Sequence, residues 1–147
     1  MEIRRVKERW EVAAVHYLRI QVALSLNIPV RGEIDEKEGD QLDYLLIMDG
    51  DTPAATGRLR NYEGKAKFER ITVGVAYQRK GIGHLLIEEM EKWAYELGFR
   101  EIFITGKQEV QDFYLKAGYA TNGEVIQTGI FPLVHLTKTL GLQASSA

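Results

Sequence analysis

The 147-residue chain contains no cysteine, which excludes a disulfide framework, thiolate catalysis and any zinc–thiolate site. Histidine is scarce: His16, His84 and His135 lie far apart and match no metal-ligand spacing, so no metal is expected. The formal net charge is only -2, without the basic excess that a nucleic-acid binder carries. No apolar run is long enough to span a bilayer, and Met1-Glu2-Ile3-Arg4-Arg5 has no apolar signal core behind it. Neither a nucleic acid nor a membrane is an expected partner, and the cytoplasm is the expected location. Repeats and low-complexity stretches are also missing, and only Gln143–Ala147 reads as a frayed tail.

What is present is ordinary for one folded domain spanning residues 1–147: 45% hydrophobic and 27% charged residues. Glu2–Val6 starts as a strand. From Glu8 to Leu26 the residues Trp10, Ala13, Ala14, Tyr17, Leu18 and Val22 fall at helical spacing, and Asn27-Ile28-Pro29 ends that helix. Trp10, Tyr17 and Trp93 read as packing aromatics. Arg31–Asp40 is polar and acidic, a solvated loop. Leu42–Met48 and Pro53–Arg60 flank the turn Asp49-Gly50-Asp51 as a hairpin. Lys65–Val75 is a further strand in which Phe68 is out of phase with Ile71, Val73 and Val75, the mark of a bulge. Gly81–Leu97 is an amphipathic helix with a stripe of Ile82, Leu86, Met90, Trp93 and Leu97 opposite Glu88, Glu91 and Lys92, capped by Gly98. A strand at Glu101–Thr105, a short helix at Glu109–Ala117 and strands at Tyr119–Gln127 and Phe131–Lys138 follow. This order, with three hairpin-like connections, predicts an α/β (α+β) domain on a mixed, mostly antiparallel sheet flanked by helices.

The chemistry concentrates in Gln78-Arg79-Lys80-Gly81-Ile82-Gly83, between a strand and the start of the long helix. Exposed backbone amides there, added to the positive helix end, suit a phosphate; the glycines let the ligand approach and the basic pair adds charge. A dinucleotide fingerprint would need a small residue where Leu86 stands, and no Walker A sequence exists. The ligand is therefore some other phosphate-bearing molecule.

Ile71-Thr72-Val73-Gly74-Val75-Ala76-Tyr77-Gln78-Arg79-Lys80-Gly81-Ile82-Gly83 resembles the signature of the GNAT superfamily of N-acetyltransferases, a hydrophobic strand followed by Gln/Arg-x-x-Gly-x-Gly/Ala. Phe113-Tyr114-Leu115-Lys116-Ala117-Gly118-Tyr119 resembles a second family segment, whose usual last residue is Phe where this chain has Tyr119. The N-terminal third is similar to a narrower bacterial group of uncharacterised GNAT proteins through Arg19-x-Gln21-Val22, Ile28-Pro29, Glu33, Asp35, Asp40 and Thr56-Gly57-Arg58-Leu59. That group often has Gly-Ile-Pro-His near its end. This chain has Gly129-Ile130-Phe131-Pro132-Leu133, so a histidine role does not carry over.

The resemblance implies transfer of an acetyl group from acetyl-CoA to a small-molecule or protein amine. The amides of Arg79, Lys80, Gly81, Ile82 and Gly83, with Gln78, would hold the coenzyme A pyrophosphate, and the backbone of Val73 and Val75 would pair with the pantetheine arm and polarise the thioester carbonyl. Tyr114 would donate to the leaving thiolate, and Glu69, on the strand face of Ile71 and Val73, would take the amine proton. Glu33, Asp35, His135 and an ordered water are other base candidates. Read without the resemblance, Tyr114 is half of an aromatic pair and Glu69 a surface partner of Arg70 or Lys67. The alternative function is a non-catalytic acyl-CoA-binding sensor or partner module, which would keep the loop and need no acid. Apolar Phe131, Leu133 and Leu136 on the last strands could serve a homodimer.

Overall fold

The computed structural model describes residues 1–129 and 131–141; the tail expected at Gln143–Ala147 lies outside them. The elements run β1 (Glu2–Arg5), α1 (Arg9–Ser25), β2 (Asp43–Asp49), β3 (Thr52–Tyr62), β4 (Lys65–Val73), α2 (Ile82–Glu96), β5 (Glu101–Lys107), α3 (Gln111–Lys116), β6 (Val125–Thr128) and β7 (Phe131–Thr139). The sheet order is β1-β2-β3-β4-β5-β7-β6. Pairing is antiparallel for β1–β2, β2–β3, β5–β7 and β6–β7 and parallel for β4–β5, the mixed, mostly antiparallel α+β arrangement expected. Contacts group the chain into two compact units, Met1–Arg60 with Arg70–Met90, and Asn61–Glu69 with Glu91 onward.

In the first unit α1 lays Ala14, Val15 and Leu18 on Leu46 and Met48 of β2. Trp10 and Tyr17, expected to pack, are 46% and 51% exposed. The helix is rotated because two charged residues on its inner face have partners. Glu11 accepts from the Lys7 and Glu8 amides at 2.9 and 2.8 Å and from Arg4 Nε at 2.5 Å. Burial opposes its ionisation, but these bonds outweigh burial and lower its pKa to about 2. Arg19 is the second, with partners described below. The helix ends where Asn27 turns left-handed (φ 56°) and Ile28 N–H reaches back to Ala23 C=O at 2.9 Å.

The β2–β3 hairpin closes through Gly50-Asp51, with Asp49 opposite Thr52 and Gly50 at φ 59°. Further along β3, a β-carbon on Gly57 would stand 2.5 Å from Met90 Sδ. Only glycine lets α2 come this close to β3, and that approach fixes the line along which the helix start points.

In the second unit β5 and β7 bury Ile102, Ile104, Val134 and Leu136. Leu136 is fully buried in its own chain, so it does not belong to a surface available for a dimer. Glu91, expected on the polar face of α2, is also buried. It accepts from Tyr119 Oη at 2.7 Å and from Lys138 Nζ at 3.1 Å, and the same ammonium caps α3 at Ala117 C=O, 2.9 Å away. The hydroxyl that Tyr119 has and phenylalanine lacks is thus bonded to a charged group. Tyr119→Phe should lower stability by about 1–2 kcal/mol, read as a lower urea midpoint at unchanged slope.

Candidate active site

β4 ends at Val73, two residues earlier than expected, and Val75 opens a short 3-10 turn, Val75–Tyr77, with its side chain exposed. The strand stops because Gly74 turns into the protein: its N–H donates to Ala54 C=O at 2.8 Å, and a β-carbon would meet that oxygen and Leu18 at 3.2 Å. Tyr77 N–H bonds Gly74 C=O at 2.8 Å, and its hydroxyl reaches Asp49 at 2.7 Å. Gln78 Nε2 folds back onto Val73 C=O at 3.1 Å. Gln78 therefore braces the loop against the strand end.

Arg79 (φ 63°) and Gly81 (φ 81°) are both left-handed. Two such residues in three make successive amides converge on one side, an anion-binding concavity. At the start of α2 Leu85 N–H donates to Gly81 C=O at 3.2 Å, so the amides of Ile82, Gly83 and His84 precede this bond and add the positive helix end. A β-carbon on Gly81 would meet no protein atom within 4 Å, which leaves the backbone open to a ligand. Arg79 and Lys80 are exposed beside it. These features fit a diphosphate.

Tyr114 lies in the second unit and is 7% exposed. Gly106 of β5 faces its ring, and a β-carbon there would make ordinary contact with Tyr114 Cε2 at 3.6 Å. Phe113 and Tyr119 meet the ring edge-on at 5.1 and 5.7 Å, and Tyr119 N–H holds the Tyr114 carbonyl at 3.0 Å. Burial pushes its phenol up to about 12. Glu69, in the same unit, has Oε1 out of contact with solvent. Lys67, one surface partner suggested for it, sits over the Tyr62 ring at 5.2 Å. His135 bonds Thr105 Oγ1 through Nδ1 at 3.0 Å and is exposed.

Residues 10–119 match the Acetyltransferase (GNAT) family model. The chain belongs to the GNAT acetyltransferase family. It is 29% identical over 119 residues to YjcF, an uncharacterized N-acetyltransferase of Bacillus subtilis, covering 80% of this chain and 84% of the relative. A crystal structure from Lactobacillus plantarum, of a protein provisionally named an N-acetyltransferase, superposes with a TM-score of 0.87 at 29% identity, covering 95% and 98% of the two chains. An aminoglycoside 6'-N-acetyltransferase complexed with coenzyme A has the same fold, with a TM-score of 0.75 at 16% identity over 95% and 97%.

This GNAT chain also holds a charge cluster that spacing along the sequence did not reveal. Asp35 receives both Arg58 nitrogens, at 2.8 and 3.0 Å, Arg19 at 3.1 Å and Arg70 at 3.0 Å. Glu36 receives Arg19 at 2.6 Å and the Tyr44 hydroxyl, and His16 lies 3.6 Å from it. Glu33 approaches Arg70 at 3.8 Å. The loop read as solvated is thus pinned, and its carboxylates are matched by three arginines rather than left to attract a cation. Neither Glu33 nor Asp35 is placed as a free base. The signal that touched the cluster was the resemblance to the bacterial group, which runs through Arg19, Glu33, Asp35 and Arg58.

Arg58 above all, opposed by burial and helped by Arg70, holds Asp35 well below the usual carboxylate range. Burial would raise Glu36, but Arg19 and Tyr44 outweigh it and hold it at about 2. Both are more acidic folded than unfolded, so their stabilisation is complete above the ordinary value of 4.5 and drains away as pH falls toward 2. Urea midpoints measured from pH 6 down to pH 2.5 should fall, and Glu36→Gln should show the shallower decline.

Proposed function

We propose that this protein transfers the acetyl group of acetyl-CoA directly to an amine. The observation that carries this reading is the pair of left-handed residues, Arg79 and Gly81, feeding the start of α2 in a sequence with neither nucleotide fingerprint. In this reading the amides of residues 79–83 hold the pyrophosphate, with Arg79 and Lys80 neutralising it. The Val73 and Val75 backbone follows the pantetheine arm and polarises the thioester carbonyl. The Val73 carbonyl is occupied by Gln78, which leaves the amide side of the strand end for this work. The aminoglycoside enzyme's complex with coenzyme A supports the same ligand here. The acceptor class follows from the family and is an amine of small-molecule or protein origin.

Tyr114 is the side chain assigned to the leaving sulfur, and Glu69 to the amine proton. A phenol near 12 stays protonated at every physiological pH. Complete transfer to a thiolate of ordinary pKa, roughly 8.5, would be uphill by about 5 kcal/mol. Tyr114 therefore serves best as a hydrogen-bond donor that strengthens as charge develops on sulfur. Glu69 has one carboxylate oxygen out of contact with solvent and stands on β4, the strand whose end carries the Val73 backbone.

Acetyl-CoA at a hundred times its dissociation constant should stabilise the fold by about 2.7 kcal/mol, and ATP and NADH by much less. Gly83→Val should abolish that gain while the protein still folds. Equal stabilisation by ATP, or an unchanged dissociation constant in the variant, would overturn the coenzyme assignment.

Tyr114→Phe should cut turnover roughly a hundredfold with little change in coenzyme affinity. Single-turnover release of thiol from acetyl-CoA with an amine panel reads this directly. Normal single-turnover chemistry would make Tyr114 a packing residue.

A further inference from the structure

Arg70 stands inside β4 with φ 52°, a left-handed conformation that a side chain with a β-carbon disfavours. Such an outlier persists only where the surroundings hold it. Its carbonyl accepts from Thr72 Oγ1 at 3.2 Å, a bond within the turn itself. The firmer hold comes from outside the strand. Arg70 Nη2 donates to Asp35 Oδ2 at 3.0 Å and to Gly32 C=O at 3.4 Å. Asp35 in turn is fixed by Arg58 and Arg19, whose side chains are 5% and 1% exposed. An anchor buried on two sides thus ends at the one left-handed residue described within β4, three residues before Val73. The turn shifts the strand's phase, leaving Phe68 buried and Ile71 half-buried, and it decides which way the following amides point.

We propose that Asp35, acting through Arg70, is a positioning residue that holds the left-handed turn of β4 and so aims the Ile71–Val73 amides at the acyl carbonyl. The aim toward an acyl group rests on the acetyl-transfer reading; the hold on the turn does not. Glycine adopts the left-handed conformation without help, whereas alanine does not. Arg70→Ala and Arg70→Gly remove the same guanidinium and differ only in whether the backbone still needs it. Both leave Asp35 paired with Arg58 and Arg19, so both should fold.

The probe is acetyl-CoA with hydroxylamine, a nucleophile small enough to need no acceptor pocket. The acetyl C–S bond breaks, a C–N bond forms to give acetohydroxamate, and the thiolate gains the proton that nitrogen loses. Arg70→Ala should slow thiol release about tenfold or more, speed amide hydrogen exchange across residues 71–73, and leave the dissociation constant for coenzyme A within about twofold. Arg70→Gly should stay near the unsubstituted protein in both rate and exchange. Asp35→Asn should lower the urea midpoint by unpairing Arg58 and Arg19. It should slow thiol release and speed exchange at residues 71–73 as Arg70→Ala does, and add no further change in that rate or exchange on top of Arg70→Gly. The inference is overturned if the alanine and glycine variants behave alike, whether both fast or both slow. If the unsubstituted protein releases no thiol, the acetyl-transfer reading fails; the exchange data then still decide whether Asp35 and Arg70 hold the turn.

Discussion

Two arginine side chains, those of Arg19 and Arg58, are almost entirely removed from water. A guanidinium cannot shed its charge, so burial obliges the chain to bring anions to it. Asp35 and Glu36 meet that demand, and in doing so they tie the segment after α1 to the helix, to β3 and to β4. Removing one partner would leave the other charge stranded, which is far more damaging than never having buried the pair. The cluster is thus a constraint on geometry more than a source of net stability. What it constrains is the backbone of β4 at Arg70.

A second ionic group does comparable work in the other unit. Glu91, Lys138 and Tyr119 join the second half of α2, the end of α3 and the last strand. Tyr119 also holds the Tyr114 carbonyl, so the helix turn carrying Tyr114 is seated by a bond to a residue that is itself anchored. Tyr114 thus sits on backbone held by buried charge, while in the first unit glycines supply the close approaches at Gly57 and Gly74.

The sequence made visible what depends on neighbours along the chain. The β2–β3 hairpin, the ends of α1 and α2, the phase slip at Phe68 and the strand–loop–helix around Gly81 all follow from local rules of turn chemistry and periodicity. It failed where the deciding contact is remote. The spacing of Trp10, Ala13, Ala14, Tyr17, Leu18 and Val22 marks α1 but not its inner face: Glu11 and Arg19 lie inward because Arg4, Asp35 and Glu36 await them, and Trp10 and Tyr17 are left outside. The acidic loop reads as solvated for the same reason: the arginines that meet Asp35 are 16 to 35 residues away. Glu91 looked like surface until Lys138 arrived from 47 residues further on. Of the site, the loop backbone was legible because glycine and helix starts signal themselves, and the two-residue overreach at Val75 came from hydrophobic alternation running on past the point where Gly74 turns inward.

The exposure of Trp10 has an optical counterpart. The chain has two tryptophans, one in each compact unit: Trp10, 46% exposed, in the first, and Trp93, 8% exposed, in the second. An indole in water emits to the red and is open to collisional quenchers; one packed among side chains emits to the blue and is shielded. The native spectrum is therefore a sum of two separable bands, each belonging to a different part of the molecule. Quenching the red component with acrylamide isolates Trp93, and following the two components through denaturation reports whether the units come apart together or in turn.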